Sequence, residues 1–290
     1  MLRNYLTIAW RNLINNKVLS LINIGGLAVG MAVVMLISLW VLDEVSFDQY
    51  HANYHHIAEV AQNVTSNGEV KTSFQVPYPL AAALRKNYGS DFKSVAMSTL
   101  PRDYILAFND KKLNEQGVFM EAGGPDLFTI NMLEGRRDAI KDPSSILISA
   151  STDKALFGNE DPMGKVLKLN NLENLKVAGV YADLPENTTL TGMAFIGCWD
   201  RYAADYRLSG MRDPWGNGIV NLYVQLADNA DLEKVSLKIR DEQLPHLKPL
   251  SAKTKPALFL QPMSKWHLYS QFKDEKKPVA KYNMCGCLVL

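Results

Sequence analysis

The run from Val18 to Leu42, VLSLINIGGLAVGMAVVMLISLWVL, holds no Asp, Glu, Lys, Arg or His. A helix rises about 1.5 Å per residue, so roughly 20 apolar residues cross a hydrocarbon core about 30 Å thick. This run is long enough, with slack for tilt. A buried core helix seldom runs so far with no polar face. A cleaved signal has a shorter apolar core, about 7–15 residues, ending at small side chains. Here the end is the bulky Leu39-Trp40-Val41-Leu42. The run therefore predicts a retained membrane span. Gly25, Gly26 and Gly30 would each weaken a helix in water by about 1 kcal/mol. In lipid, small residues let a neighbouring helix approach closely. Gly26 and Gly30 have the GxxxG spacing and are the expected helix-packing residues. Trp40 is expected at the membrane interface, which suits an amphipathic indole.

Residues 1–17, MLRNYLTIAWRNLINNK, place Leu2, Tyr5, Leu6, Ala9, Trp10, Leu13 and Ile14 on a 3.6-residue period. The spacing predicts an amphipathic helix lying in the membrane surface, with Tyr5 and Trp10 as interface anchors. Arg3, Arg11 and Lys17 then face water or lipid phosphates. The first acidic residue is Asp43, so the positive-inside rule predicts a cytoplasmic N-terminus and an outer location for everything after Leu42.

The chain has 290 residues, a formal net charge of +1 and 47% hydrophobic residues. This balance excludes a polybasic nucleic-acid binder and an acidic disordered tail. With one span visible, most of the apolar content must lie in a folded outer part. Its cysteines, Cys198, Cys285 and Cys287, are too few for a dense disulfide framework.

After Asp43 the pattern becomes that of a water-soluble protein. Ile57 to Thr65 alternates as a strand, Asn67-Gly68 signals a hairpin turn, and Glu69 to Val76 is the expected return strand. Pro79 to Tyr88 reads as a helix with Pro in its first turn, and Phe92 to Thr99 as a strand. Shorter strands are expected at Gly117 to Glu121, Ile146 to Ser149, Lys165 to Asn170 and Leu175 to Tyr181. Short helices are expected at about Pro125 to Phe128 and Thr152 to Phe157, the second capped by Ser151 or Thr152 and ended by Gly158. Residues 200–218 read as loop. Asn221 to Leu226 is a strand, Asp231 to Leu244 a helix capped by Asp231 and stopped by Pro245, and Ala257 to Gln261 a strand. Strand-helix-strand thus recurs on both sides of a β-rich stretch. The fold class is α+β.

Motifs for chemistry are sparse. The sequence has no GxxxxGK[ST], GxSxG, HExxH or CxxC, and no GxGxxG opening a helix after a strand. His51, His55 and His56 are the best metal-like cluster. A site there needs a further ligand such as Glu44, Asp48 or Glu59, and a polar helix that happens to be His-rich is the favoured reading. Cys285-Gly286-Cys287 reads as incidental. Asp183 and Glu186 flank a proline turn without spacing that marks an acid/base pair. Asn63-Val64-Thr65 and Asn187-Thr188-Thr189 are glycosylation sequons, which matter only in a eukaryotic secretory pathway. No catalytic, cofactor-binding or metal residue is assigned.

Several short runs in order carry a resemblance: AWRNL at Ala9 to Leu13, NKVLSLINIGGLAVGMA at Asn16 to Ala32, and E-x-S-F-D-x-x-H at Glu44 to His51. They continue with DLFTINMLEGR at Asp126 to Arg136, ILISASTDKALFG at Ile146 to Gly158, and DPMGKVLKL at Asp161 to Leu169. VAGVYADLPENT at Val177 to Thr188 and WHLYS at Trp266 to Ser270 complete the series. Together they resemble MacB/FtsX-type ABC transporter permeases. The resemblance implies a first membrane helix and a periplasmic core domain made of two β-α-β porter-like halves around an inserted sabre-like part. The expected boundaries are an amphipathic helix at 1–17, a span at 18–42, half one at 43–110, the insert at 111–218 and half two at 219–270. The tail, 271–290, is read as truncated before an expected second span.

The resemblance further implies a non-catalytic permease subunit of the bacterial inner membrane. It transmits ATP-driven motion to its periplasmic domain for efflux or mechanotransmission. ATP would be bound by a separate cytoplasmic ABC ATPase. The other expected partners are a second permease copy or paired permease, the lipid bilayer, and a periplasmic or outer-membrane protein; no nucleic acid is expected. The alternative is a single-span, membrane-anchored binding module without an ATPase. Replacing Gly26 or Gly30 with Leu is expected to weaken association with a partner helix, read as lost crosslinking in membranes. Undiminished crosslinking would remove the packing assignment.

Overall fold

The computed structural model describes residues 2–66, 69–206, 208–248, 255–269, 271–273 and 277–279. The Asn67-Gly68 turn, Cys285 and Cys287 lie outside them. The chain divides into two units, Met1–Ser46 and Phe47–Leu290.

The first unit is helical: α1 (Leu2–Asn15) and α2 (Lys17–Val45). The second helix holds an 18-residue stretch with a mean hydropathy of 2.3 and is long and apolar enough to cross a membrane. Its hydroxyl at Ser38 bonds back to Val34 O at 2.8 Å, which satisfies a polar group within an apolar segment.

The second unit begins with β1 (Ile57–Ser66), β2 (Glu69–Ser73), α3 (Leu80–Asn87) and β3 (Phe92–Ser98). Next come β4 (Arg102–Phe108), β5 (Lys111–Met120), α4 (Gly124–Leu127), β6 (Met132–Gly135) and β7 (Ser145–Ser149). They are followed by α5 (Ala150–Phe157), β8 (Val166–Leu169), β9 (Glu173–Tyr181), β10 (Phe195–Cys198) and α6 (Trp199–Asp205). The chain closes through β11 (Asn221–Leu226), α7 (Leu232–Ile239), β12 (Ala257–Pro262) and the hairpin β13 (Gln271–Lys273) with β14 (Lys277–Val279).

Four strands lie in the order β12-β1-β11-β3, each antiparallel to its neighbour. With α3 joining β1 to β3 and α7 joining β11 to β12, this is the split β-α-β, ferredoxin-like arrangement. One face is dry because both helices cover it. Leu80, Ala81 and Leu84 of α3 and Val235 and Ile239 of α7 pack on Ala58, Val60, Leu222, Val224, Leu258 and Leu260. The outer strand β12 would offer a free edge for unwanted pairing. Helix α7 and the residue after it occupy that edge: Leu258 N donates to Arg240 O at 2.8 Å and Leu260 N to Ser236 Oγ at 3.0 Å.

Between β3 and β11 the chain builds a closed ring, β5-β4-β8-β9-β7-β10 and back to β5. Tyr104, Leu106, Phe119, Ile146, Ile148, Leu167, Leu169, Leu175, Val177 and Phe195 share its core. The ring closes at the parallel β5–β10 seam, where Phe195 stands opposite Gly117 and Phe119 opposite Gly197. Each glycine lies against the ring of the phenylalanine facing it. A Cβ on Gly117 would come within 2.1 Å of Phe195, and one on Gly197 within 2.7 Å of Phe119. The two aromatic rings need the space that side chains on these glycines would take.

The structure departs from the sequence reading at several elements. Arg102–Phe108 is a strand where none was expected, and β5 starts at Lys111 rather than near Gly117. The polar first half of β5, KKLNEQ, hides the strand because one face is exposed while the backbone pairs with β4. The start of the 200–218 loop is instead helix α6. The cap of α5 is Ser149, which accepts from Thr152 N at 3.2 Å, rather than Ser151 or Thr152. Helix α7 ends at Ile239, and Pro245 sits in a separate 3₁₀ turn, Leu244–His246. The caps at Asp231 and Gly158 are where the residue types placed them.

Gly117→Ala is expected to cost about 1–3 kcal/mol by overpacking the seam. The measurement is the urea midpoint of the full chain, and adding Phe195→Leu should recover part of the loss.

Candidate functional site

Residues 47–56 follow directly on α2 in the chain and carry the conspicuous S-F-D-x-x-H run. They form turns and one short 3₁₀ helix, Tyr54–His56, rather than an α-helix, held by His51 N to Asp48 O at 3.2 Å and Tyr54 N to His51 O at 3.0 Å. Asp48 adopts φ 61°, a left-handed conformation that a short polar side chain tolerates. That twist turns its carboxylate inward, where it is wholly buried.

A buried carboxylate needs donors in place of water. Asp48 Oδ1 accepts from Thr188 Oγ1 and Thr189 N, both at 2.7 Å, and Oδ2 from Thr189 Oγ1 at 2.6 Å. Asp48 N returns a bond to Asn187 O at 2.9 Å. The inbound segment is thus clasped to the Asn187–Thr189 turn, far along the chain. His51, also buried, clasps a second element. Its Nδ1 lies 2.7 Å from Phe128 O. A carbonyl only accepts, so Nδ1 carries the proton. Its Nε2 lies 3.4 Å from Thr188 Oγ1. Burial lowers the His51 imidazole below its ordinary range, opposed by the Phe128 carbonyl and the Asp48 charge. Ala52 N donates to Thr129 Oγ1 at 3.2 Å and Asn53 Nδ2 to Leu127 O at 3.4 Å, which completes the attachment around α4.

The outbound segment returns to the same place. Beyond β12, Trp266 is buried against Phe128 and Tyr223, and its Nε1 donates to Gln261 O at 3.0 Å. His267 stacks flat on Phe47 with ring centroids 3.6 Å apart. The first residues of this unit and the last before residue 270 therefore sit face to face.

The candidate metal cluster does not assemble. His51 is buried with Phe128, His55 is exposed, and among the described residues no group of three His, Cys, Asp or Glu is placed to hold a metal. The sequence reading favoured a His-rich polar helix here, but the chain turns at Ser46–Tyr50 and winds as a 3₁₀ helix only at Tyr54–His56. Asp183 caps α5 from outside, accepting from Ser151 N at 3.0 Å and Ser151 Oγ at 2.7 Å. A groove of about 420 Å³ lies between α3 and α6, lined by Arg85, Glu121, Lys141, Cys198 and Trp199. Arg85 there pairs with Glu121 and donates to Val95 O.

In the helical unit, a Cβ at Gly26 or Gly30 would meet nothing within 4 Å, so that face of α2 is open in the single chain. Tyr5, Trp10 and Trp40 all present large exposed surfaces. The sequence reading named Asp48 as a spare metal ligand and Thr188 and Thr189 as part of a sequon, and did not pair them. The signal was present in the S-F-D and E-N-T-T runs, but their pairing is a long-range contact that local spacing does not encode.

Thr188→Val is expected to cost about 1.5–3 kcal/mol, because it removes a donor to a buried charge. The readout is the unfolding midpoint, and a loss under 0.5 kcal/mol would show that the clasp tolerates the missing hydroxyl.

Comparison with known proteins places these features. No match was found among the curated proteins. The structure is similar to a domain of a protein described as a permease from Porphyromonas gingivalis, with a TM-score of 0.61 and 21% identity over 73% of this chain and 91% of that one. It is also similar to the periplasmic region of MacB from Actinobacillus actinomycetemcomitans, with a TM-score of 0.52 and 18% identity over 74% of this chain and 92% of that one. At such identities the likeness is one of fold. Residues 20–242 match the MacB-like periplasmic core domain, and with the sequence resemblance, the split β-α-β layer and the inserted ring, the chain belongs to that family of ABC transporter permease domains.

Proposed function

We propose that this protein is a non-catalytic permease subunit of an ABC-type efflux or mechanotransmission system. In this reading α2 spans the inner membrane with the N-terminus in the cytoplasm, and the body from Phe47 onward stands in the periplasm. A cytoplasmic ATPase binds the nucleotide and moves the membrane helices. The body carries that motion to substrates or partners outside. The split β-α-β layer takes the place of the two porter-like halves, and the ring between β3 and β11 that of the sabre-like insert. Gly26 and Gly30 provide the close approach to a second permease helix, and Tyr5, Trp10 and Trp40 anchor the helical unit at the membrane interfaces.

The observation that carries this reading is the clasp. A force arriving through α2 enters the body at Phe47, within two residues of the helix end at Val45. There Asp48 and His51 hold elements from both the α4 region and the Asn187–Thr189 turn. A loose tether would stretch before it transmitted force. A buried, charge-assisted attachment passes displacement to the packed body.

A membrane-anchored binding module is the second reading, favoured by the open groove beside Trp199 and Arg85. Affinity purification of the tagged permease, with the spans expected after the tail present, from solubilised membranes separates the two. Recovery of a cytoplasmic ABC ATPase supports the permease. A chain that brings down periplasmic proteins and no ATPase from membranes that contain one would sink it in favour of the binding module.

A further inference from the structure

Glu59 lies on β1 with its side chain on the face away from α3 and α7, directly between Tyr223 of β11 and Gln261 of β12. It is 8% exposed. Among the described residues no ion pair reaches it, and the hydrogen bond to its carboxyl comes from the neutral Asn221 Nδ2 at 2.9 Å. The surroundings are rich in acceptors. Asn221 Oδ1 and Gln261 Oε1 are both buried without a donor. Gln261 cannot turn its amide over to relieve this. Its Nε2 is engaged by Tyr269 O at 2.9 Å and Lys265 O at 3.3 Å, two carbonyls that only accept. Its Oε1 is thereby fixed on the other arm of the amide, and Gln261 stands directly across the strands from Glu59. An ionised Glu59 would place acceptor against acceptor in a dry site.

We propose that Glu59 is a buried proton-binding site, protonated at neutral pH, whose O–H donates to Gln261 Oε1 and so supports the side chain that holds the outbound segment Met263–Tyr269. Losing the proton puts a bare carboxylate next to that oxygen and loosens the hold on Lys265 and Tyr269. The two segments that meet there then differ in kind: residues 47–53 are held by a carboxylate and its donors, Met263–Tyr269 through a carboxylic acid.

Burial pushes the Glu59 carboxyl up to about 8, with the Asn221 bond pulling the other way. Tyr223 is the titratable group beside it, and burial followed by the Glu59 charge raises it far above its ordinary value, so it stays neutral. Asp48 of the inbound segment is the charged group that also acts on Tyr223. On the β12 side the neighbours are Gln261 and Trp266, which do not titrate. The native pKa lies above the unfolded one. The contribution of Glu59 to stability is therefore complete below about 4.5, declines as pH rises, and is gone above about 8. His51 acts oppositely: its lowered native pKa gives stability that is present above about 6.5 and lost as pH falls. The interval from pH 7 to 8 belongs to Glu59.

The test is an infrared titration of the full chain in detergent, with an unfolding series on wild type and Glu59→Gln from pH 6 to 9. A protonated-carboxyl band at pH 7 that titrates near 8 and is missing in Glu59→Gln is expected. The folding constant of wild type relative to the variant should fall roughly tenfold per pH unit up to about 8 and then level off. If the variant does not fold, the wild-type band and its midpoint decide alone. The absence of that band at pH 7, or an equal pH dependence in both proteins, overturns the proposal. A midpoint that moves with added Na⁺ or Ca²⁺ also overturns it, since a metal ion would then occupy the proton's place.

Discussion

A carboxylate removed from water is held only by donors fixed in place, and Asp48 finds three of them on Thr188 and Thr189. Much of the body's architecture follows from meeting that demand. The Asn187–Thr189 turn must sit beside residues that precede β1, so the chain between β9 and β10 has to return to the beginning of the domain. Phe128 must lie under His51, which brings the α4 region to the same spot. Trp266 then fills the space between Phe128 and Tyr223, and His267 covers Phe47. Parts of the chain drawn from its beginning, middle and end are cross-braced around one buried charge.

The same economy governs the two β-structures. The ferredoxin-like layer hides one face under α3 and α7 and has backbone groups of its β12 edge occupied by Ser236 and Arg240. The ring avoids an edge by closing on itself at the β5–β10 seam, where two glycines make room for two phenylalanines. A body whose β12 edge is occupied and whose ring is closed resists shear, and close-packed interiors transmit strain. That property is the one the proposed transmission of motion would draw on.

The legibility of the sequence varied with the range of the interactions involved. Asp231 as a cap and Gly158 as a stop are local matters of one side chain or one dihedral angle, and they were readable. Arg102–Phe108 was not, because Ile105 is exposed and Asp103 is polar, while the strand owes its existence to neighbours on β5 and β8. Trp199–Asp205 resembled loop because its helix is only about two turns long, supported by packing of Trp199 and Tyr202. His51 looked like a ligand or a solvated residue by its spacing, and its burial against Phe128 came from a partner 77 positions away. The buried acid at Glu59 was named only as a spare metal ligand, since its alternation with Ala58 and Val60 says nothing about which face would be dry on both sides.

By itself, the sequence determined that an apolar helix precedes a mixed body, that strand-helix-strand recurs on either side of a β-rich stretch, and that the ordered motifs point to one permease family. These properties depend on composition, periodicity and the order of short runs, which the chain carries without folding. Only the tertiary structure decided that the β-rich stretch closes into a ring, that the S-F-D and E-N-T-T runs form one clasp, and that the inbound and outbound segments meet. Those outcomes rest on burial and on hydrogen bonds between residues far apart in the chain, where the removal of water sets the energy and no local pattern records the partner.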